Sequence, residues 1–136
     1  MRLAILILIL MALAGCTTSH LGPQKPHEYF VTPGVIYLSE SAGEFPSAVK
    51  RAVTPSLEAA VDVEKAYLVD IEYPDGTSGM CLCLAPGTAE SARTADAIGG
   101  AFGLIAEQGV YLDIIFLAGK HLDTVERVAQ PFYVRP

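Results

Sequence analysis

VEKAYLVDIEY (residues 63–73), followed by PDG at 74–76 and GMCLCLA at 79–85, is the stretch that decides the fold. Successive side chains of an extended chain point to opposite sides. Val63, Lys65, Tyr67, Val69, Ile71 and Tyr73 therefore share one face, and Glu64, Ala66, Leu68, Asp70 and Glu72 share the other. The first face is mainly apolar and the second is mixed and more polar. That period argues for a strand and against an amphipathic helix. Pro74-Asp75-Gly76 has turn chemistry, and Gly79–Ala85 is a second apolar run. Two such runs around a short turn predict an antiparallel hairpin.

The elements outside the hairpin follow from the same reading. Val35–Leu38 follows the Pro33-Gly34 turn signal and predicts a strand. Phe45, Val49, Ala52, Val53, Ser56, Leu57 and Ala60 recur every three or four residues, predicting a helix over about 46–60. Pro46 suits the first helical turn. Pro55 removes a backbone donor inside that helix, and because the stripe keeps phase through it, a kink is expected in place of a break. Beyond the hairpin, Thr88 can cap a helix running to about Gln108, with Glu90 in its first turn and Gly109 ending it. Ala95, Ile98, Ala101, Phe102 and Ile105 would be its buried stripe. Tyr111–Leu117 reads as a strand, and His121–Ala129 as a short helix stopped by Pro131. The order is that of a ferredoxin-like βαββαβ domain of the α+β class. Two helices lie on one face of the sheet, and a short C-terminal helix follows.

This arrangement leaves surplus apolar surface. On the last strand Leu112, Ile114 and Phe116 share one face, with Tyr111, Ile115 and Leu117 opposite beside Asp113. On the second hairpin strand Met80, Leu82 and Leu84 oppose Cys81, Cys83 and Ala85. Two helices cover one side of a sheet, so the other needs the terminal helix, the PFYVRP tail or a second protein. Leu82, Leu112, Ile114, Phe116, Phe132 and Tyr133 are therefore the expected surface for a protein partner or for self-association.

Chemistry-bearing motifs are few. Cys81 and Cys83 share a strand face, with Cα atoms roughly 6.5–7 Å apart, the upper limit for a disulfide. Zinc needs about four ligands, and no second Cys or His pair accompanies them, so they read as small core residues. Ser47-Ala48-Val49-Lys50 matches the S-x-x-K pattern, but its partner motifs S-D-N and K-T-G are absent. Gly99-Gly100-Ala101-Phe102-Gly103 lies inside a predicted helix, away from the strand-to-helix turn that a phosphate loop requires; Gly99 and Gly103 read as close-packing positions. Asp70, Glu72, Asp75 and Asp113 show no spacing suited to acid–base work or a divalent cation. No catalytic residue, metal or cofactor is assigned.

The N-terminal residues say more about place than about activity. Arg2 precedes an unbroken apolar run from Leu3 to Ala14. The run is shorter than the about 20 residues of a membrane span and fits a signal peptide. Leu13-Ala14-Gly15-Cys16 resembles the lipobox of bacterial lipoproteins, in which the Cys becomes the lipid-bearing mature N-terminus. The expected organisation is a signal peptide at 1–15, a lipidated tether at 16–30 and a folded domain at 31–136. Cleavage removes Arg2 and leaves 8 basic against 15 acidic side chains, a net charge of −7. That charge argues against a nucleic-acid partner. Thr17, not Asp, follows the Cys, which resembles lipoproteins sent to the outer membrane of diderm bacteria.

Val63–Leu68, Leu112-Asp113-Ile114-Ile115 and Gln130-Pro131-Phe132-Tyr133, with the Glu44-Phe45-Pro46 helix start, resemble the C-terminal domain of the enhanced serine sensitivity (SseB) protein family. The likeness spans roughly Val35 to Arg135. It implies a small α+β domain and carries no catalytic residues with it. The expectation is a lipid-anchored envelope protein that binds a protein partner without catalysis. A small-molecule sensor of amino-acid type and an envelope hydrolase are the alternatives.

Overall fold

In the computed structural model the described residues are 28–29, 34–86 and 91–136. Residues 1–27, with Cys16 and the stretch expected to be a signal peptide, lie outside them, as do Thr88 and Glu90. The elements are β1 (Glu28–Tyr29), β2 (Ile36–Glu40), α1 (Glu44–Ala59), β3 (Lys65–Glu72), β4 (Ser78–Ala85), α2 (Ser91–Gly103), β5 (Leu112–Phe116), α3 (Lys120–Val128) and β6 (Tyr133–Val134). This is an α+β domain with the ferredoxin-like succession βαββαβ from β2 to β5, followed by α3.

The hairpin fixes the centre of the sheet. β3 and β4 pair antiparallel in register from Lys65↔Ala85 to Glu72↔Ser78. Their turn is closed by Gly76 N–H donating to the Tyr73 carbonyl at 2.9 Å. Gly76 has φ +82°, a left-handed conformation that favours glycine. The strands lie in the order β1-β5-β4-β3-β2, with β6 also on β3. β4–β5 and β5–β1 are parallel and the other pairs antiparallel. α1 thus connects the antiparallel neighbours β2 and β3, and α2 is the crossover between the parallel neighbours β4 and β5.

Both faces of this sheet are covered. Val49, Val53 and Leu57 of α1 and Ala95, Ile98 and Phe102 of α2 pack on Ala66, Leu68, Leu82, Leu84, Leu112, Ile114 and Phe116. On the opposite face, Val125 of α3 and the adjoining Ala129 join Tyr67, Val69, Ile71, Cys81, Cys83, Ile115 and Leu117, with Leu122 and Val128 at the margin. β4 is consequently buried without a break from Cys81 to Ala85, as expected of a strand covered on both sides. Fully burying a leucine such as Leu82 or Leu84 stabilises by about 1.5–3 kcal/mol.

Several boundaries differ from the sequence reading for local reasons. α1 runs uninterrupted through Pro55, its stripe holding Val49, Val53 and Leu57 in the core. α2 ends at Gly103 instead of near Gln108, and tighter turns follow: the N–H groups of Leu104 and Ile105 donate to the carbonyls of Ala101 and Phe102 at 3.3 and 3.0 Å. Ile105 consequently leaves the expected stripe and is exposed. Glu28 and Tyr29, read as tether, form a strand against β5. Among the described residues, no helix is long and apolar enough to cross a membrane.

Candidate functional site

The six side chains expected to form a partner surface do not form one. Leu82, Leu112, Ile114, Phe116 and Tyr133 are buried beneath α1 and α2, and Phe132 is half-buried against the same cluster. Alternation shows which side chains share a face; it does not show which face the helices cover. The helices took the Leu82–Ile114 face, and α3 took the other.

The C-terminal tail has a structural role that sequence reasoning missed. β6 pairs with Lys65 and Ala66 on the side of β3 where β2 pairs with Val69–Glu72. Between them, Ser41 N–H donates to the Leu68 carbonyl at 2.9 Å. Phe132 N–H donates to the Ala66 carbonyl at 3.0 Å and Arg135 N–H to the Glu64 carbonyl at 2.8 Å. The Arg135 guanidinium then reaches the end of α1, donating to the carbonyls of Ala60 and, at 2.8 Å, Val63. The last turn of α1 has no basic residue of its own, so Arg135 places a cation where the helix dipole favours one.

The ionisable groups are held by specific partners. Lys65 and Tyr67 both donate to Glu126 Oε1, at 2.8 and 2.9 Å. Those bonds, Lys65 foremost, hold the Glu126 carboxyl below its ordinary range. Burial, reinforced by Glu126, pushes the Tyr67 phenol well up. Burial likewise raises Tyr37, with Cys83 and Cys81 adding to the effect; its hydroxyl lies 3.5 Å from His121 Nδ1. Tyr73 donates to Asp113, and Ser41 donates to Asp70 at 2.5 Å. Thr77 donates to Asp75 through both its hydroxyl, at 2.6 Å, and its N–H, at 2.9 Å, and the hydroxyl bond leads in lowering that carboxyl.

The remaining motifs resolve in the same way. Cys81 and Cys83 are free, fully buried thiols with sulfurs 3.7 Å apart, as their core reading requires. Burial drives the Cys81 thiol well above its ordinary value, which disfavours the reactive thiolate. Ser47 donates to the Gly43 carbonyl at 2.7 Å, while Lys50 is engaged with Glu40 at 2.7 Å. Neither member of the S-x-x-K match is directed to the other, and the Lys50 bond is the main reason the Glu40 carboxyl is held low. Gly103 is exposed, and a Cβ there would meet nothing within 4 Å. Close packing does not account for it. Among the described residues, no three His, Cys, Asp or Glu side chains gather as metal ligands.

Among the described residues, exposed large apolar side chains gather in two places, with Val61 standing apart after α1. One is the sheet edge formed by β2 and β6, where Ile36 (53 %), Leu38 (47 %) and Val134 (56 %) meet solvent. Among the described residues β2 pairs only with β3, so its outer backbone groups form an unpaired edge. A register shift between Tyr37 and Ser39 interrupts that edge. The other is the loop entering β5, which exposes Leu104, Ile105, Val110 and Tyr111. Neither feature has a period that marks it in the sequence, since exposure follows from where the helices end. No protein-family model, no curated protein and no solved structure matches this chain.

Proposed function

We propose that this is a lipid-anchored protein of the bacterial envelope, held through Cys16, whose α+β domain is a non-catalytic binding module for a protein partner. The anchor rests on the basic start, the apolar run and Leu13-Ala14-Gly15-Cys16. Thr17 after the Cys favours the outer membrane in a diderm host. Distant kinship with the SseB C-terminal domain belongs to the same proposal and rests on the three stretches quoted for it.

The observation that carries the binding role is the β2–β6 edge. It combines unpaired strand backbone with Ile36, Leu38 and Val134 in solvent. An extended segment of a partner can add to such an edge, with main-chain hydrogen bonds giving affinity and alternate side chains giving specificity. The sheet faces, by contrast, are occupied by the protein's own helices.

A photo-crosslinking amino acid at position 38, in cells expressing the full chain, tests this reading. The expected result is one discrete adduct that is lost when Ile36→Asp is added. A pattern no different from that of a crosslinker at the exposed position 58 of α1 would refute it. Adducts between copies of the chain would assign the edge to self-association. Cys16→Ser should abolish palmitate labelling and membrane fractionation, because durable attachment needs more than one acyl chain; continued lipidation would remove the anchor.

A further inference from the structure

β5 is entered through Leu104-Ile105-Ala106-Glu107-Gln108-Gly109-Val110-Tyr111. Leu104 is 88 % exposed and Tyr111 61 %, with Ile105 and Val110 exposed between them. The loop is tied down: Ala106 packs on the core, its N–H donates to the Phe102 carbonyl at 2.9 Å, and Val110 N–H donates to the Glu107 carbonyl at 3.2 Å. Its large apolar side chains are thus held outward. Glu107 is its one charged residue. Aliphatic groups beside a tyrosine suit a bilayer interface, where the ring enters and the phenol stays at headgroup level.

The course of the chain identifies the occupant. β1 runs parallel to β5, with Glu28 beside Ile114 and Tyr29 beside Ile115. Parallel strands enter a sheet from the same end, so the chain arrives at Glu28 from the end at which Tyr111 leads into β5. Cys16 lies twelve positions before Glu28. Twelve residues reach at most about 40 Å when fully extended, and on the order of 20 Å as a coil. A lipid on Cys16 therefore places the membrane on the side from which the loop projects. We infer that the 104–111 loop is a second membrane contact, laying Leu104, Ile105, Val110 and Tyr111 on the bilayer interface and setting the orientation of the domain; this rests on the lipid-anchor reading. The loop has no Lys or Arg, and the β3–β4 turn at the same sheet end carries Asp75. The surface it fits is neutral or zwitterionic lipid, because an anionic leaflet would repel these carboxylates.

The test uses the full lipidated chain reconstituted into phosphatidylcholine vesicles that contain doxyl-labelled lipid. A thiol-reactive fluorophore is placed at Leu104→Cys, or at Ala118→Cys beyond the other end of β5, which lies about 23 Å along the strand from Tyr111. Cys81 and Cys83 are buried, which directs the label to the introduced thiol. The expected result is at least threefold stronger quenching at position 104 than at 118. Vesicle flotation reports the anchor separately. A chain that floats yet shows equal quenching at both positions overturns the loop contact and leaves the anchor standing. A chain that does not float overturns both.

Discussion

Arg135→Ala should unfold the domain at markedly lower denaturant than the parent. The guanidinium donates through Nε to the Val63 carbonyl at 2.8 Å and through Nη2 to the Ala60 carbonyl, with the Leu57 carbonyl at 3.5 Å a marginal partner. A hydrogen bond to a charged group contributes about 1.5–3 kcal/mol net. Arg135 is itself half-buried, so water can take up part of what is lost at Ala60, whereas Val63 is buried. Taking the low end for two bonds, and adding the about 0.3–1 kcal/mol of a cation at a helix C-terminus, gives a cost of about 3.5 kcal/mol. That is a large share of the about 5–15 kcal/mol that holds a domain together. In a domain of this size it corresponds to a Tm drop on the order of 10–15 °C. Arg135→Met keeps the aliphatic stem and isolates the polar loss; Arg135→Lys restores one point charge without the fork and should recover about half. Urea unfolding followed by circular dichroism reads all three. An Arg135→Ala value within about 0.5 kcal/mol of the parent, as for an ordinary surface substitution, would show that the tail does not cap α1 and that the reasoning is wrong.

Gly100→Ala should stabilise the domain by up to about 1 kcal/mol, since Gly100 is interior to α2 and a Cβ there meets nothing within 4 Å; a lowered denaturation midpoint would contradict this. Cys81 and Cys83 should resist a thiol reagent in the native protein and react fully once it is unfolded, because both are wholly buried; native labelling faster than global unfolding would count against the packing of α3. The Glu126 carboxyl is held below its ordinary 4.5 in the fold, so its contribution is present above that pH and fades as the pH falls below it. Glu126→Gln should flatten the acid limb of a stability–pH curve, and an unchanged slope would remove Glu126 from that role. Tyr37 and Tyr67 are raised above the ordinary 10.0, so ultraviolet titration of the parent against Tyr37→Phe and Tyr67→Phe should show these phenols un-ionised above pH 10 until the protein unfolds.

The hairpin was legible because its signals are local. Alternation over residues 63–73 and the turn at 74–76 define two strands, and both were found within two residues of the expected ends. The buried stripe of α1 was legible for the same reason: Val49, Val53 and Leu57 recur at helical spacing whatever the helix packs on. The burial of Cys81 and Cys83 followed from their position in an apolar strand. The apolar run from Leu3 to Ala14 and the Leu13-Ala14-Gly15-Cys16 stretch on which the anchor proposal rests are likewise plain in the sequence.

Tertiary structure decided the rest, because it depends on pairs distant in sequence. Periodicity states which side chains share a face, but helix docking chose the Leu82–Ile114 face for α1 and α2, which turned an expected surface into core. The apolar stripe of α3 then took the Tyr67–Cys83 face. Arg135 finds the end of α1 only because β6 lies alongside Lys65 and Ala66. The edge at Ile36 and Leu38 and the loop at Leu104 and Tyr111 are what these packings leave uncovered. A sequence records the apolar residues themselves; which of them stay in water is set by where two helices and a tail come to rest.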